Sequence, residues 1–378
     1  MKYIHQLEGW PNFQWDTERL APLLAQVRYR QGRLLGQMEL QGFKFHHLQE
    51  EANLVTLTAE VVKSSAIEGE MLDAEQVRSS IARHLGLDIG GTPQVSRHID
   101  GIVEMMLDAT RNHSAPLTEE RLFGWHAALF PTGRSGMRNI ATGAWRPLEA
   151  DPMRVVSGPM GREKVHFEAP EAGRLQDEMA TFLEWFNSPA GTDPVIKAAI
   201  AHFWFATIHP FSDGNGRIAR AIAEMALARA DELPERYYSM STQIEAERND
   251  YYDGLKNSQQ ITLDITRWLV WFLECLERAI AGAQDTLAAV LRKARIWDKA
   301  NVLSINDRQH RILTRMLGDF EGHLNTSKYA KLAKCSADTA LRDIRELLAK
   351  GLLVQNPGGG RSTSYRLAEP DGFPSPGN

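Results

Sequence analysis

The stretch Ile208-His-Pro-Phe-Ser-Asp-Gly-Asn-Gly-Arg-Ile-Ala-Arg220 constrains the fold most, because its polar turn separates an amphipathic helical segment from a second helix. The first segment begins with Asp193 and Pro194, which suit the N-cap and the first helical position. It ends at His209, since a proline restricts the residue before it. Glycine and asparagine in Asp213–Gly216 tolerate positive φ, and a second helix follows at once. The sequence therefore predicts a helix, a tight turn and a helix.

The polar residues of this turn match the chemistry of a nucleotide phosphate. Free N–H groups at the start of the second helix form a cradle for anions. Arg217 and Arg220 lie three positions apart on one helical face and can both reach anionic oxygens. Asp213 is a hard oxygen donor suited to Mg²⁺ bound together with phosphates. His209 at the rim can accept a proton near neutral pH. The alternative is a helix–loop–helix whose glycines only form the turn.

The segment His209-Pro-Phe-Ser-Asp-Gly-Asn-Gly-Arg217, with Arg220 three residues further on, resembles the signature of Fic-domain proteins of the Fido family. This resemblance implies a helical core that binds ATP with Mg²⁺ or Mn²⁺. It implies a protein adenylyltransferase, which transfers AMP to Ser, Thr or Tyr hydroxyls of target proteins, including itself, and releases pyrophosphate. The residues of the turn suit this reaction, because phosphoryl transfer depends mainly on positioning and on charge neutralisation.

The resemblance also implies a role for each residue of the signature. His209 deprotonates the target hydroxyl, and Asp213 holds the metal ion on the phosphates. Phe211 anchors the loop in the core. Gly214, Asn215 and Gly216 cradle the phosphates. Arg217 and Arg220 bind toward the β- and γ-phosphates.

Upstream, Ser64-Ser-Ala-Ile-Glu-Gly69 resembles the inhibitory motif of the class of this family whose inhibitory helix is N-terminal to the core. By that resemblance Glu68 pairs with Arg220, removes the cation that seats the γ-phosphate and adds a negative charge facing it. Ser64 is the other fixed residue of the motif. The alternative is a plain helix end with Gly69 at the C′ position.

Two further elements follow from the family pattern. A β-hairpin of Arg154–Ser157 and Lys164–Phe167, joined by Gly158–Gly161, resembles the flap that pairs with an extended target segment. The flap residues carried over are Lys164, Val165, His166 and Phe167. The adenine pocket is predicted at Tyr251, Tyr252 and Gln259, where many family members carry Asn in place of Gln259. The alternatives are a simple surface hairpin and an amphipathic helix with an aromatic core face.

The whole chain is predicted to be mainly α, with an N-terminal helical region at 1–94, a Fic-type core with its flap at 95–290 and a winged-helix domain at 300–370. Trp10-Pro-Asn-Phe-Gln-Trp15 resembles the opening of a bacterial Fic subgroup that carries such a tail.

The predicted helices are about Asp16–His47, Leu48–Ser64, Leu72–Leu85, Val95–Asn112, Thr118–Ala128, Ala172–Asn187, Asp193–Ile208, Ile218–Ala230, Thr242–Gln259 and Leu263 to near residue 300. In the tail they are Asn306–Gly318, Ser327–Ala333 and Ala337–Lys350, followed by strands at Gly351–Val354 and Tyr365–Leu367.

Composition excludes several other classes of protein. The 378 residues are 43% hydrophobic and 24% charged, which is typical of globular domains. Cys275 and Cys335 are the two cysteines, too few for a disulfide framework or a zinc finger. The chain has no apolar segment near its start that resembles a signal peptide and no run long enough to span a membrane. We therefore expect a cytoplasmic protein.

The sequence leaves two other functions open. The chain could be a nucleotide-sensing regulator that binds DNA through the winged helix, or a Fic enzyme that removes AMP or moves another phosphate-containing group. Residues 301–378 contain 11 Lys/Arg and 8 Asp/Glu, a margin of +3 that is weak for a DNA-binding surface. The third tail helix carries Arg342, Arg345 and Lys350 beside Asp338, Asp343 and Glu346. Protein contact or a homodimer is therefore an equal alternative for this domain.

Overall fold

The computed structural model describes residues 2–42, 46–88, 94–150, 152–157, 164–189, 191–317, 320, 322–357 and 363–368. The predicted flap turn at 158–161, most of the predicted loop at 86–93 and the glycines at 358–360 lie outside these ranges. The chain divides into two compact units, Met1–Gln284 and Asp285–Asn378. The predicted three-part division of the chain stays a prediction.

The protein is mainly helical, as predicted. One helix, α11 (Thr266–Val302), contains the boundary between the two units. The first eleven helices are α1 (Thr17–Gly42), α2 (His46–Ile67), α3 (Ala74–Leu85), α4 (Arg97–Arg111), α5 (Glu119–Leu129), α6 (Leu175–Asn187), α7 (Pro194–Ile208), α8 (Asn215–Asp231), α9 (Met240–Ala246), α10 (Arg248–Ser258) and α11 (Thr266–Val302). The antiparallel strand pairs of the first unit are β1 (Arg134–Ser135) with β2 (Arg138–Asn139) and β3 (Arg154–Ser157) with β4 (Lys164–Glu168).

The structure differs from the predicted elements in three places. The short β1–β2 pair was not predicted. Gly136 forms its turn, with a φ of 55°. The helix predicted over Thr242–Gln259 is two helices, α9 and α10, that meet at Glu247. Helix α8 begins at Asn215, three residues earlier than predicted, because Gly214 at φ 80° lets the helix start directly after the turn.

Helices α7 and α8 form the centre of the first unit and pack against each other. The prediction that α7 is amphipathic is wrong: twelve of its fifteen residues are buried, on nearly all sides of the helix. Such a helix is stable only in the interior of a domain. Its N-cap is Asp193, whose side chain accepts a hydrogen bond from the Val195 N–H at 2.8 Å. The turn between α7 and α8 is therefore held between two buried helices.

Helix α2 packs against α8 and α9 and carries the predicted inhibitory motif at its end. Its buried Glu60 accepts hydrogen bonds from the Ser239 hydroxyl at 2.7 Å and from the Ser241 N–H at 2.9 Å. A buried carboxylate bonded in this way fixes the helix against its neighbours. One turn later the same helix presents Ser64 to α8.

The second unit contains the predicted three helices followed by two strands. They are α12 (Asp307–Leu317), α13 (Thr326–Ala333), α14 (Ala337–Ala349), β5 (Leu353–Gln355) and β6 (Tyr365–Leu367). Strands β5 and β6 pair antiparallel. Asp343 of α14 is buried and bonds Arg308 Nε at 2.8 Å and the Tyr329 hydroxyl at 3.1 Å. Among the helices of the described ranges, none has the length and apolar character needed to cross a membrane.

Gly101 of α4 provides a test of this packing. A Cβ at this position would lie 2.0 Å from the Ala128 carbonyl oxygen of α5, which is backbone and cannot rotate away. We expect Gly101→Ala to lower the free energy of unfolding by about 1–3 kcal/mol, the range for an overpacked site. Circular dichroism during chemical unfolding measures this change.

Gly124→Ala is the matched control, because Gly124 lies in the facing helix and a Cβ there would meet nothing within 4 Å. We expect it to raise the free energy of unfolding by about 0.5–1 kcal/mol, the ordinary gain for alanine in a helix. Equal stability of Gly101→Ala and the wild type would contradict this close helix contact.

Candidate functional site

The turn between α7 and α8 is closed by the side chain of Asn215. Its Oδ1 accepts the Phe211 N–H at 2.9 Å, and its Nδ2 donates to the Phe211 carbonyl at 2.8 Å. His209 caps α7 in the left-handed region, at φ 52° and ψ 55°. This backbone is uncommon for a residue with a side chain, so the surrounding contacts must hold it. The predicted cradle residue Asn215 therefore uses its side chain to shape the turn.

Phe211 anchors the turn in the core, as predicted from the family pattern. Its ring is fully buried and stacks on His126, with ring centroids 4.2 Å apart and an angle of 7° between the planes. Trp145 packs on it at 5.0 Å. Burial lowers the pKa of His126 to about 4, so the stacked imidazole is neutral at physiological pH.

The two glycines of the turn keep the start of α8 open. Gly214 has a φ of 80°, and a Cβ there would lie 2.9 Å from the Phe130 ring. A Cβ on Gly216 would lie 2.0 Å from Glu68 Oε1. The Glu68 carboxylate thus occupies space directly against the first turn of α8. Its negative charge lies where a helix N-terminus attracts anions.

Asp213 lies in the turn with both carboxylate oxygens in use. Its Oδ1 accepts the Gly214 N–H at 2.6 Å, and its Oδ2 accepts a hydrogen bond from the Ser135 hydroxyl of β1. The side chain is thereby oriented at the start of the anion cradle. A single carboxylate beside a phosphate site fits Mg²⁺, which is usually held by one or two carboxylates together with phosphate oxygens.

Arg220 is 2% exposed, and its guanidinium bonds the end of α2. Its Nη1 lies 2.9 Å from Glu68 Oε1. Its Nε and Nη2 donate to the hydroxyl and the carbonyl of Ser64, both at 2.8 Å. Burial lowers the pKa of Arg220, but the charge of Glu68 raises it and the net shift is upward. The structure therefore brings together both predicted inhibitory residues and the second arginine.

Arg217 has an acidic partner that the sequence analysis missed. Its Nη1 donates to Glu70 Oε2 at 2.8 Å, and the arginine is 6% exposed. Glu70 also bonds His98 Nε2. The His98 hydrogen bond and the charge of Arg217 lower the pKa of Glu70, although burial opposes this. Each arginine of the signature is thus paired with a glutamate from one short segment.

The end of α2 explains how one segment reaches both arginines. Gly69 has a φ of 85°, its N–H donates to the Ala66 carbonyl at 2.9 Å, and the Glu70 N–H donates to the Ser65 carbonyl at 3.0 Å. This is a Schellman motif with glycine at C′. The helix-end interpretation and the pairing of Glu68 with Arg220 are therefore both correct. The cap itself sets the directions of Glu68 and Glu70.

A cavity of about 540 Å³ extends from His209 between the flap hairpin and α10. Its lining includes most of the predicted flap and adenine-pocket residues: His166, Phe167, Tyr251, Tyr252 and Gln259. Lys164 and Val165 are not among the described residues that line it. The Gln259 amide donates to the Thr207 hydroxyl at 3.2 Å, so this side chain also braces the cavity floor.

His209 is half-buried in the cavity wall. Its Nδ1 lies 3.2 Å from the Ala206 carbonyl, so Nδ1 carries the proton and Nε2 is the basic nitrogen. Burial lowers the pKa of His209 and the charge of Arg146 adds to this, whereas the Ala206 carbonyl and the carboxylates of Glu68 and Asp213 oppose it. The net lowering keeps the imidazole neutral and able to accept a proton.

Arg146 is a second residue that the sequence analysis missed. It is buried, and its Nε donates to the His209 carbonyl at 3.1 Å. Its backbone N–H donates to the Pro210 carbonyl at 2.9 Å, and its guanidinium also bonds the Pro170 carbonyl after β4. Arg146 therefore holds the left-handed turn at His209. No local pattern marks it, because its partners are backbone carbonyls distant in sequence.

Comparison with known proteins gives two matches along the chain. Residues 116–227 match the Fic/DOC family, and residues 3–87 match a domain of unknown function (DUF4172). The chain is 28% identical over 194 residues to protein adenylyltransferase fic-1 of Caenorhabditis briggsae, covering 50% of this chain and 36% of that protein. It is 28% identical over 227 residues to protein adenylyltransferase Fic of Culex quinquefasciatus, covering 58% and 40%. The chain thus spans less than half the length of these relatives.

A solved structure supports the fold over nearly the whole chain. A Fic family protein from Desulfovibrio desulfuricans G20 superposes with a TM-score of 0.53 at 22% sequence identity. The likeness covers 96% of this chain and 98% of that chain. At this level of identity it carries information on the fold alone.

Proposed function

Because residues 116–227 of this chain are a Fic/DOC domain, we propose that the chain is a self-inhibited protein adenylyltransferase that transfers AMP from ATP to protein hydroxyls, including its own. The observation that carries the proposal is the charge arrangement at the start of α8. Two buried arginines lie there beside a glycine turn, and each is paired with a glutamate. Carboxylates in these places occupy an anion site of the kind that phosphates fill.

The proposed reaction uses the basic nitrogen of His209. Nε2 takes the proton of a Ser, Thr or Tyr hydroxyl, and the hydroxyl oxygen attacks the α-phosphorus of ATP. The bond to the β-phosphate oxygen breaks, and pyrophosphate leaves. Asp213 would hold Mg²⁺ or Mn²⁺, which neutralises charge on the phosphates. Arg217 and Arg220 bind the β- and γ-phosphates once their carboxylate partners are displaced.

The cavity supports adenine binding on the α10 side. Tyr252 presents a ring to it, and Leu255 adds an apolar contact. Tyr251 is buried and its hydroxyl bonds His202 at 2.9 Å, so it forms the rear of this wall. The opposite wall carries Val155 and Val156, exposed side chains of β3. An exposed hairpin edge beside His209 suits pairing with an extended target segment.

Replacing His209 tests the proposed base. His209→Ala in a Glu68→Ala background should reduce the rate of AMP transfer by about 10²-fold or more, the usual contribution of a general base. Because the pKa of His209 lies below its ordinary value of 6.5, the neutral form should persist below pH 6.5 and the acid limb of kcat/KM should lie there. Initial rates with labelled ATP from pH 5 to 8 measure both effects.

The control for this variant is its affinity for Mg·ATP, measured by calorimetric titration. This affinity should not change, since the His209 imidazole does not pair with Arg217 or Arg220. Unchanged nucleotide affinity together with lost transfer supports the role of base. A variant that keeps more than about a tenth of the transfer rate would show that His209 is not the base.

The paired carboxylates make the proposed inhibition testable one arginine at a time. Glu68→Ala frees Arg220 and removes a charge that repels the triphosphate, so AMP incorporation should rise on the order of 10²-fold. Adding Glu70→Ala frees Arg217 and should raise the rate by about a further threefold or more. Adding Arg220→Ala to Glu68→Ala should abolish most of the first gain. Labelled AMP incorporation at one ATP concentration compares these variants.

Glu51→Ala is the matched control, because Glu51 lies on the same helix and pairs with Arg78 at 2.8 Å, away from the site. Its rate should equal that of the wild type. Equal rates for Glu68→Ala and the wild type would refute self-inhibition by this segment. A double variant Glu68→Ala, Glu70→Ala slower than Glu68→Ala would mean that Glu70 orients Arg217 productively.

Nucleic-acid binding by the second unit is a second candidate function that one observation favours. Asp343, an acid on α14, is buried against Arg308 and is therefore withdrawn from the exposed face. Arg342 and Arg345 are exposed on that helix, and neither has a carboxylate partner among the described residues. Unpaired arginines on the third helix of such a unit suit phosphate or base contacts.

Titration of a random DNA duplex at several salt concentrations tests this candidate. We expect measurable binding at about 50 mM salt that weakens steeply as salt rises, and a salt slope that falls by roughly one unit for each of Arg342→Ala and Arg345→Ala. Binding that is absent at low salt, or unaffected by both substitutions, contradicts it.

A further inference from the structure

Residues Tyr3 and His5, on either side of Ile4, contact the flap wall of the cavity. The rings of Tyr3 and His5 meet Phe167 edge-on, with centroids 5.2 Å and 5.9 Å apart. His5 Nε2 donates a hydrogen bond to the Glu168 carbonyl of β4 at 2.9 Å. Phe167 itself lines the cavity. These three residues, here called the arm, thus hold the inner strand of the flap.

The arm also contacts the opposite wall. The Ile4 N–H donates to the carbonyl of Gln259, just after α10, at 2.9 Å, and the Ile261 N–H donates to the Lys2 carbonyl at 3.3 Å. Ile4 is fully buried. Gln259 lines the same cavity as Phe167. Consecutive residues of one segment therefore bind both walls between which the nucleotide is proposed to lie.

The flap depends on contacts outside its own sheet. It has two strands, and a hairpin of two strands is marginally stable by itself. Beyond the ladder, Arg154 pairs with Glu168 across the strands at 2.8 Å, which adds support within the hairpin but does not fix it to the helices. Arg146 holds the chain after β4 through Pro170. The arm joins β4 to the end of α10 through contacts with both.

We propose that the arm, Tyr3–His5, is a positioning segment that sets the spacing between the flap and α10 and thereby the affinity of the cavity for ATP. The proposal rests on the nucleotide function proposed for the site. It gives a role to the start of the region that matches a domain of unknown function. Because the arm touches the walls but not the reacting groups, its loss should raise KM for ATP more than it lowers kcat.

The chemistry of His5 suits a fixed structural donor. The acceptor is a backbone carbonyl, so Nε2 carries the proton. Burial lowers the pKa of His5, and the charge of Arg174 lowers it further. The Glu168 carbonyl and the carboxylates of Glu178 and Glu168 oppose this, but the net shift is downward. The neutral ring then packs against Phe167 without a buried charge. Glutamine can place its Nε2 as a donor in a similar position, which permits a conservative rescue.

The test compares His5→Ala, His5→Gln and Trp10→Phe in the full chain carrying Glu68→Ala, which relieves the proposed inhibition. Trp10 is the matched control, because it precedes the same helix, α1, but bonds Glu178 of α6 at 2.8 Å and packs on Trp204 of α7, and it is not among the described residues that line the cavity. The measurements are Mg·ATP affinity by calorimetry, KM and kcat for AMP transfer, Tm, and hydrogen exchange of the β4 amides. His5→Ala should weaken ATP binding and raise KM by about three- to tenfold and speed exchange in β4.

His5→Gln should restore most of the affinity, and Trp10→Phe should lower Tm while leaving KM and β4 exchange unchanged. Unchanged affinity and β4 exchange in His5→Ala would overturn the proposal. Equal changes in KM for His5→Ala and Trp10→Phe would also overturn it, since the effect would then be general stability. If ATP binding and exchange respond as expected but no variant transfers AMP, the proposed activity fails while the positioning role stands.

Discussion

The two hydrogen bonds between the Asn215 side chain and the Phe211 backbone are the constraint on which the site depends. Helices α7 and α8 are buried, so the chain must reverse between them within a few residues. The amide of Asn215 satisfies both polar groups of Phe211 that the turn would otherwise leave unpaired in the interior. With the turn fixed, His209 points into the cavity and α8 begins with its free N–H groups next to Asp213.

Burial of the two arginines explains why an acidic segment faces them. A guanidinium that is 2% exposed has lost most of its hydration, and a buried charge without a partner is strongly destabilising. In the absence of phosphate, Glu68 and Glu70 supply the compensating charge. Under the proposed function, the ion pairs that stabilise this form of the site would also inhibit it, because ATP would have to displace the carboxylates that neutralise the arginines.

Most of the helices and the signature loop could be predicted from the sequence, because their signals are local. Apolar periodicity gives α4 and α7, and the spacing of Arg217 and Arg220 places both on one face of α8. Glu68 was found through the family resemblance. Glu70, His98 and Arg146 were not found, since they act through tertiary contacts with residues distant in sequence. The burial of Asp343 against Arg308 was also not predicted, since it depends on a contact between α14 and α12.

Under the proposed function, the Schellman cap at Gly69 is the point where the inhibition would be released without unfolding α2. Upstream, Glu60 fixes the helix to Ser239 and Ser241, and Ser64 bonds Arg220 within the last turn. Downstream of Ile67 the acidic residues are held by the cap and by their arginines, and Glu68 is one-third exposed. Rearranging Glu68–Glu70 breaks the hydrogen bonds of the cap and the two ion pairs, whose charge the incoming phosphates would replace. Withdrawing α2 would in addition expose its buried face. Displacement of the cap is therefore the path of lower free energy for phosphate entry, and it leaves Ser64 bound to the arginine that receives the phosphate.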